Sequence, residues 1–314
     1  MSKSKIIVCD HIHETGYKIL EEDESIELIK AADVPKDELL KMIAGCDVAI
    51  TRSSTDVDQN FVNHAKGLKA IVRAGVGVDN VDQNACSKEG IVVMNVPTAN
   101  TIAAVELTMT HMLSCMRMFP LSHDHLKNQR IWKREKWYGH ELKGKKLGII
   151  GFGNIGSRVG IRSKAFEMNV IAYDPYIQSS KATDLDIEYT SNFQDILDCD
   201  LITIHTPKNK ETIDMINHDE ISKMKDGVVL INCARGGLYN EKALEAGLKN
   251  GKIRFAGIDV FNKEPAIDNP LLDLDNIIVS PHLGANTFES QRSIAQQAAA
   301  NAIESAKGIS YPNA

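Results

Sequence analysis

A chain of 314 residues exceeds the usual size of one domain and is sufficient for two domains, each with its own hydrophobic core. Its hydrophobic content of 43% and charged content of 25% are ordinary for a globular protein. The net charge of −6 argues against nucleic acid as a partner, because proteins that bind nucleic acid usually carry a basic excess.

The N-terminal residues and the cysteines bear on where the protein works. The apolar run Ile6–Cys9 is too short for a signal peptide, and no segment has the roughly 20 apolar residues of a membrane span. The six cysteines are scattered without a CxxC pair, so we expect reduced thiols and no metal site. These features predict a cytoplasmic protein without a membrane partner.

Short β-branched runs alternate with helical patterns in the first third of the chain. Residues 36–44 and 57–65 have apolar positions three and four apart, which is typical of helices. This alternation predicts βαβ units and a parallel sheet. The strand-like runs are Lys5–Cys9, Ile26–Ile29, Val48–Ile50, Lys69–Arg73 and Ile91–Val93.

A long helix is predicted from Thr101 to Met118, with Thr101 as its N-cap and Pro120 as its stop. Because the pattern is apolar nearly all round, we expect several neighbours to bury the helix. It would belong to an inter-domain core, to a subunit interface, or to both.

A second alternating series predicts a second parallel-sheet domain, followed by a final helix over residues 288–307 that begins at an Asn286-x-x-Glu289 cap. Its strand-like runs are Leu147–Ile150, Val170–Tyr173, Leu201–Ile204, Val228–Ile231, Phe255–Ile258 and Ile277–Val279.

Gly151, Gly153 and Gly156 lie between a strand-like run and a helical pattern with the spacing G-x-G-x-x-G. In this context the first glycine permits a tight turn, the second lets the backbone approach a pyrophosphate, and the third allows close helix packing. The helix N-terminus then favours the negative charge of the pyrophosphate. Asp174, which follows the next strand-like run, can accept from both ribose hydroxyls and would repel a 2′-phosphate. The pattern therefore predicts NAD rather than NADP.

Arg235, Glu264 and His282 each lie at or just after the C-terminal end of a strand-like run. Because ligands of open α/β sheets bind at this edge, we expect the three side chains to converge near the nicotinamide. A histidine oriented by a carboxylate is typical of proton transfer. Taken singly, the three could instead be an ion-pair partner, a solvated loop acid and a capped loop histidine.

Two arginines follow strand-like runs of the first series in the same way. Arg52, with Ser53 beside it, and Arg73 would both direct guanidinium groups at the ligand edge. Arginine suits phosphate because its planar fork donates two parallel hydrogen bonds, so the pair predicts a phosphorylated substrate. In the competing interpretation, these arginines only pair with nearby acids such as Asp56 or Asp79.

The chain resembles the D-isomer-specific 2-hydroxy acid dehydrogenases from about Val48 to Ala285. The resemblance implies an α/β fold in which a Rossmann NAD-binding domain, residues 100–285, is inserted into a flavodoxin-like substrate domain, residues 1–99 and 286–314. The motifs that carry it are Arg73–Asn80, Gly151–Gly156, His205–Pro207, Asn232–Gly237 and Pro281–Ala285.

The resemblance also assigns roles. Arg235 would bind and polarise the carboxylate and carbonyl of a 2-oxo acid, His282 would be the acid–base group, and Glu264 its partner. The substrate-binding positions would be Arg52, Ser53, Arg73, Val76, Gly77, Asn100, Arg235 and His282. The cofactor-binding positions would be Val76, Gly151, Gly153, Asn154, Ile155, Gly156, Asp174, His205, Thr206, Pro207, Cys233, Ala234, Arg235, Asp259, His282, Gly284 and Ala285.

Within the family, the resemblance is strongest to members that oxidise D-3-phosphoglycerate to 3-phosphohydroxypyruvate, the first step of serine biosynthesis. It implies that reaction in a homodimer or homotetramer, with Arg134 of a second copy as a further phosphate contact. Because the chain ends soon after His282, we expect a form without a C-terminal regulatory domain. The alternatives are a hydroxypyruvate, glyoxylate or other 2-oxo acid reductase of the same family and, from another class, an NAD-dependent corepressor-like binding protein.

Overall fold

The computed structural model describes residues 3–314 and divides the chain into two compact units. The first unit comprises the chain up to Asn100 together with Ala285–Ala314, and the second comprises Thr101–Gly284. Each unit is built on one all-parallel β-sheet. The prediction of an α/β fold with two parallel sheets is confirmed.

The first unit has a five-stranded sheet with the order β2-β1-β3-β4-β5. The order reverses between β1 and β3, so the ends of these two strands form the switch point at which such sheets bind ligands. The strands are β1 Ser4–Val8, β2 Ile26–Lys30, β3 Val48–Thr51, β4 Ala70–Arg73 and β5 Val92–Met94.

Alternate strand residues of this sheet enter two separate cores. Ile7 and Ile71 pack with residues of α2, α3 and α4, whereas Ile6 and Val72 pack with residues of α1 and α12. Helices therefore cover both faces, as a parallel sheet requires. These helices are α1 Glu14–Glu22, α2 Lys36–Met42, α3 Gln59–His64, α4 Gln83–Lys88 and α12 Phe288–Ala306.

The second unit has a seven-stranded sheet with the order β12-β11-β10-β9-β6-β7-β8. Its switch point lies between β6 and β9, so the glycine loop after β6 is next to the end of β9. The strands are β6 Lys146–Ile150, β7 Asn169–Tyr173, β8 Glu188–Thr190, β9 Leu201–Ile204, β10 Val228–Asn232, β11 Ile253–Ile258 and β12 Ile277–Val279.

The helices of the second unit likewise bury both faces of its sheet in two hydrophobic clusters. They are α5 Thr101–Arg117, α6 Phe119–Lys127, α7 Asn154–Ala165, α8 Ser180–Thr183, α9 Gln194–Leu197, α10 His218–Lys223 and α11 Glu241–Lys249. Among residues 3–314, no helix is both long and apolar enough to cross a membrane.

Two helix-boundary predictions were wrong. The long helix ends before Met118, whose backbone is left-handed with φ 50°, and Pro120 lies in the first turn of the next helix instead of stopping the previous one. Proline is tolerated there because first-turn N–H groups have no intrahelical acceptor. The last helix is capped by Thr287, whose side chain accepts from the Ser290 N–H, and not by Asn286.

Candidate active site and cofactor site

The glycine loop after β6 has the shape that a dinucleotide pyrophosphate needs. Gly151 has φ +85°, and a Cβ there would approach the carbonyl oxygen of His205 to 2.7 Å. A Cβ on Gly156 would lie 2.0 Å from the Gly151 carbonyl oxygen, so only glycine lets the helix pack this closely. A Cβ on Gly153 would meet nothing within 4 Å, which leaves open space directly before the N-terminus of α7.

Asp174 follows β7 and hydrogen-bonds to this loop. Its Oδ2 accepts from the Phe152 N–H at 2.8 Å, and its Oδ1 accepts from the Tyr176 N–H at 3.0 Å. Each carboxylate oxygen can accept more than one hydrogen bond, so ribose hydroxyls could still bind. The carboxylate is thus held at the edge of the glycine loop, together with Asn154 and Ile155 in the first turn of α7.

The residues after β9 extend the same edge. Desolvation lowers the pKa of His205 to about 3, and the neutral ring hydrogen-bonds to the Thr203 hydroxyl at 3.0 Å. The hydroxyl oxygen of Thr206 is buried without a protein hydrogen-bond partner, as expected of a group that contacts a ligand, and Pro207 follows at the surface.

The turn after β10 presents Arg235. Buried Asn232 fixes this turn, because its side chain donates to the Arg235 carbonyl at 2.8 Å and accepts from the Ala234 N–H at 3.0 Å. The Arg235 guanidinium donates to the Ala234 carbonyl at 2.6 Å. Cys233 is buried behind the turn, where desolvation raises the pKa of its thiol.

Asp259, fully buried at the end of β11, organises the loop after β12. It accepts from the Ser280 hydroxyl at 2.5 Å, the Leu283 N–H at 2.7 Å and the Gly284 N–H at 2.9 Å. Desolvation raises the pKa of Asp259, whereas these hydrogen bonds and the His282 charge oppose the rise. A single carboxylate therefore fixes the backbone that carries His282.

His282 and Glu264 form a hydrogen-bonded pair. Nδ1 of His282 lies 2.7 Å from Oε2 of Glu264, and Oε1 of Glu264 accepts from the Phe261 N–H at 2.9 Å. Both side chains are partly exposed. The arrangement orients the imidazole and leaves its Nε2 for another partner, which is the geometry required for proton transfer.

In the first unit, Arg52 lies at the switch point between β1 and β3. Its guanidinium donates to the His11 carbonyl at 3.0 Å, and its backbone N–H donates to Asp10. Desolvation lowers the pKa of the Arg52 guanidinium. Ser53 beside it is exposed.

Three further predicted substrate residues of the first unit, Arg73, Val76 and Gly77, lie at the end of β4 and in the loop that follows it. Arg73 folds back over Gly75 and donates to the Ala74 carbonyl at 3.4 Å. The Val76 carbonyl, beside Gly77, accepts from the Asn95 side chain at 2.7 Å. Asn100 has a buried Oδ1 without a protein partner, and Ala285 packs against the core under α12.

The structure thus brings Arg235, Asp259, Glu264 and His282 to neighbouring strand ends of the second unit, which also carries the glycine loop. Sequence reasoning missed a buried histidine on α5, His111, which hydrogen-bonds to Ser280. The sequence of α5 predicts only an apolar helix. No spacing pattern relates His111 to Ser280, which lies 169 residues later in the sequence.

Comparison with known proteins agrees with this geometry. The family model of the D-isomer specific 2-hydroxyacid dehydrogenase, NAD binding domain, matches residues 109–284. NAD is the cofactor of that domain, and the open space at Gly153, the fixed Asp174 carboxylate and the unpartnered Thr206 hydroxyl oxygen fit a dinucleotide.

Two curated relatives are similar along most of the chain. A D-3-phosphoglycerate dehydrogenase of Methanocaldococcus jannaschii is 46% identical over 289 residues, which cover 92% of this chain and 55% of that protein. The chain therefore spans little more than half the length of that relative. A hydroxypyruvate reductase of Thermotoga maritima is 40% identical over 297 residues, which cover 94% of this chain and 95% of that protein.

A solved structure supports the same grouping. The D-lactate dehydrogenase from Aquifex aeolicus, in complex with NAD and lactic acid, aligns with a TM-score of 0.84 and 28% sequence identity, covering 98% of this chain and 96% of that chain. With more than half of the sequence matched by the family model and a relative aligned over nearly its whole length, the chain belongs to the D-isomer-specific 2-hydroxyacid dehydrogenase family.

Proposed function

We propose that the protein oxidises D-3-phosphoglycerate to 3-phosphohydroxypyruvate with NAD, a reaction that can supply serine biosynthesis. The observation that carries the proposal is the His282–Glu264 hydrogen bond of 2.7 Å, formed in the same unit as the dinucleotide loop. The similarity to a D-3-phosphoglycerate dehydrogenase supports the choice of substrate.

Each residue of the trio has one task in this proposal. His282 accepts the substrate hydroxyl proton at Nε2, because its Nδ1 is held by the Glu264 carboxylate. Glu264 stabilises the imidazolium that results, and Arg235 binds the carboxylate of the acid. NAD, held by the glycine loop and Asp174, would supply the hydride acceptor for C2. In the reverse reaction, protonated His282 returns its proton to the carbonyl oxygen.

We assign phosphate binding to the first unit. Arg52 lies at the switch point of the first sheet with Ser53 next to it, and its backbone is fixed by Asp10. Arg73 lies on the neighbouring strand end. Two guanidinium groups match the charge of a dianionic phosphate, whereas unphosphorylated glycerate has only a neutral hydroxyl at that position.

The second candidate is reduction of hydroxypyruvate or a related 2-oxo acid. It is favoured by the Thermotoga maritima relative named hydroxypyruvate reductase, which this chain covers almost completely. Both candidates use the same trio, so only substrate recognition separates them.

A steady-state survey of D-3-phosphoglycerate, D-lactate, D-glycerate and 2-hydroxyglutarate with NAD tests the proposal. We expect the highest kcat/KM with D-3-phosphoglycerate. Replacing His282 by Asn should lower turnover by roughly 10²–10⁴-fold, as for other positioned acid–base groups, and leave NADH binding nearly intact. Absence of activity with all four acids would disprove the dehydrogenase proposal.

Arg52→Ala separates the two substrates. We expect a large rise in KM for D-3-phosphoglycerate and little change for D-glycerate, because only the former has a phosphate. Lys41→Ala is the matched control, since it removes an exposed positive charge from the last turn of α2 in the same unit. If Arg52→Ala raised KM equally for both substrates, the hydroxypyruvate reductase would be favoured.

We further propose that the protein forms a homodimer or homotetramer through the segment after α5. Phe119, Leu126, Ile131 and Trp132 expose 65%, 47%, 43% and 76% of their surface there, a concentration of apolar groups typical of an interface. Trp132→Glu should lower the sedimentation coefficient, whereas Tyr176→Glu, on an equally exposed aromatic elsewhere, should not. An unchanged sedimentation coefficient in Trp132→Glu would contradict this interface.

The cytoplasm is the compartment we propose. All six cysteines are free and buried, which suits a reducing environment. Cell fractionation with a compartment marker is the direct test.

A further inference from the structure

His111 is a buried histidine that the proposed reaction does not use. It lies on α5 with 3% of its surface exposed and faces β11. The strand has glycine at the point of contact, because a Cβ on Gly257 would lie 2.9 Å from Cβ and 3.1 Å from Nδ1 of His111. The missing side chain lets the imidazole lie directly against the strand.

A chain of hydrogen bonds leads from this imidazole to the loop that carries His282. Nε2 of His111 lies 2.7 Å from the Ser280 hydroxyl, and that hydroxyl donates to Asp259 at 2.5 Å. Asp259 in turn accepts from the backbone N–H groups of Leu283 and Gly284. All of these residues belong to the second unit.

The hydrogen count along this chain selects one tautomer of His111. Ser280 has a single hydroxyl hydrogen and gives it to Asp259, so its oxygen must accept from Nε2–H of His111. Nδ1 of His111 is buried without a hydrogen-bond partner, which a bare nitrogen tolerates better than an N–H would. Desolvation lowers the pKa of His111 to about 4, so the ring is neutral near pH 7.

His282 needs such support because its backbone is strained. Its φ of +55° lies in the left-handed region that non-glycine residues rarely adopt. The His282 N–H donates to the Asp259 carbonyl at 2.9 Å, and the two following N–H groups donate to the Asp259 carboxylate. If the carboxylate turned, both of those hydrogen bonds would lengthen together.

We infer that His111 is a positioning residue: through Ser280 it fixes the Asp259 carboxylate, and thereby the loop that presents His282 to the substrate. The inference rests on the proposed function for the role of His282, although the hydrogen-bond chain itself does not. His111 touches no reacting atom.

The other titratable groups around this hydrogen-bond chain are two thiols, one arginine and His282. The thiols of Cys115 and Cys233 have pKa values that burial raises, Arg254 faces Cys115 from β11, and His282 itself lies beyond Asp259. None of them replaces the donor that His111 supplies to Ser280.

Backbone amide exchange at Leu283 and Gly284 tests the inference in the intact chain without substrate. His111→Leu should speed exchange there about tenfold, the effect of weakening one buried hydrogen bond. His111→Gln should restore slow exchange, because the glutamine amide nitrogen reaches as far as Nε2. Met112→Ala, which opens a cavity next to the same helix, should leave the exchange rates of both amides unchanged. Equal exchange in His111→Leu and Met112→Ala would overturn the inference.

Kinetics and ¹⁵N spectra complete the test. We expect His111→Leu to lower kcat with little change in KM, His111→Gln to recover it, and the wild-type His111 signals to show a protonated Nε2 and a bare Nδ1. A protonated Nδ1 would show that the proposed hydrogen-bond chain from His111 to Asp259 is wrong. Should His111→Leu not fold, Ser280→Ala removes the same link and Ser280→Thr retains it. A wild type inactive on every D-2-hydroxy acid would refute the proposed function, while the exchange result would still decide this inference.

Discussion

Glu264 shows how a partly exposed carboxyl group is kept ionised beside a histidine. Burial acts to raise its pKa, but hydrogen bonds from His282 and the Phe261 N–H, with the nearby charges of His282 and Arg235, lower it overall. The carboxylate therefore favours the imidazolium form of its partner.

Glu264→Gln removes that charge while keeping the shape of the side chain. In the oxidation direction, kcat/KM rises with pH as the base loses its proton, and we expect the midpoint of this rise to move to lower pH. The measurement is the pH profile of kcat/KM, with Glu245→Gln as a control at a surface pair with Lys249. A profile identical to wild type would show that the pair does not act in catalysis.

Asp174 combines a hydrogen bond to the glycine loop with a negative charge, and two variants separate these contributions. Asp174→Asn removes the charge and can keep the acceptor for the Phe152 N–H, whereas Asp174→Ala removes both. We expect both variants to use NADP better, and Asp174→Ala to lose more NAD affinity. Fluorescence titration with NADH and NADPH measures this, and unchanged NADPH affinity in both would contradict a 2′-phosphate clash.

The individual site residues differ in how well sequence predicts them. Arg235, Glu264 and His282 follow apolar strand runs, so the general rule for parallel sheets was enough to group them. The residue that we infer positions the loop of His282 could not be predicted by this rule. His111 reads as one polar residue in an apolar helix, and its contact with Ser280 depends on how α5 crosses β11 and on the space above Gly257.

At the scale of elements, alanine substitutions at Gly156 and Gly153 should affect different properties, the first stability and the second NADH affinity. Gly156→Ala would place a Cβ 2.0 Å from the Gly151 carbonyl, so we expect a loss of about 1–3 kcal/mol in the free energy of unfolding, the range for overpacking. Gly153→Ala meets no protein atom within 4 Å, so its stability should match wild type while NADH affinity falls. Urea denaturation and NADH titration of both variants measure the two effects; a stable Gly156→Ala would contradict the packing argument.

Most strands were predicted because buried parallel strands are nearly continuous apolar runs. The exception is β8, Glu188–Thr190, a three-residue edge strand that begins with an exposed glutamate and has no such run. Helix ends were harder to predict because several residue types suit each position. Thr287 and Asn286 are both acceptable caps, and only the backbone path decides between them.

At the scale of the whole molecule, the six buried cysteines affect alkaline stability. Burial raises the pKa of each thiol, to about 11 for Cys86 and about 12 for Cys115 and Cys199, from 9.0. The stability they contribute is therefore complete below pH 9.0 and is lost as the pH rises from there to the raised pKa of each thiol, because only the unfolded thiol ionises between the two values. Each thiol contributes a slope of about 1.4 kcal/mol per pH unit.

Urea denaturation between pH 8 and pH 11 measures this loss. We expect Cys115→Ala to have a lower free energy of unfolding at pH 8 and a shallower decline above pH 9.0 than wild type. Equal slopes in the two proteins would show that Cys115 does not remain protonated in the fold.

The helix α12 covers one face of the first sheet, where Ile294, Ala298 and Ala302 are buried against β1, β3 and β4. All five strands of that sheet precede Thr101, whereas the covering helix begins only at Phe288, after every residue of the second unit. On the ribosome, the part of this face that α12 covers, over β1, β3 and β4, therefore stays exposed while the second unit is translated and can complete its own sheet. Chaperones that recognise exposed hydrophobic segments have that whole interval in which to bind.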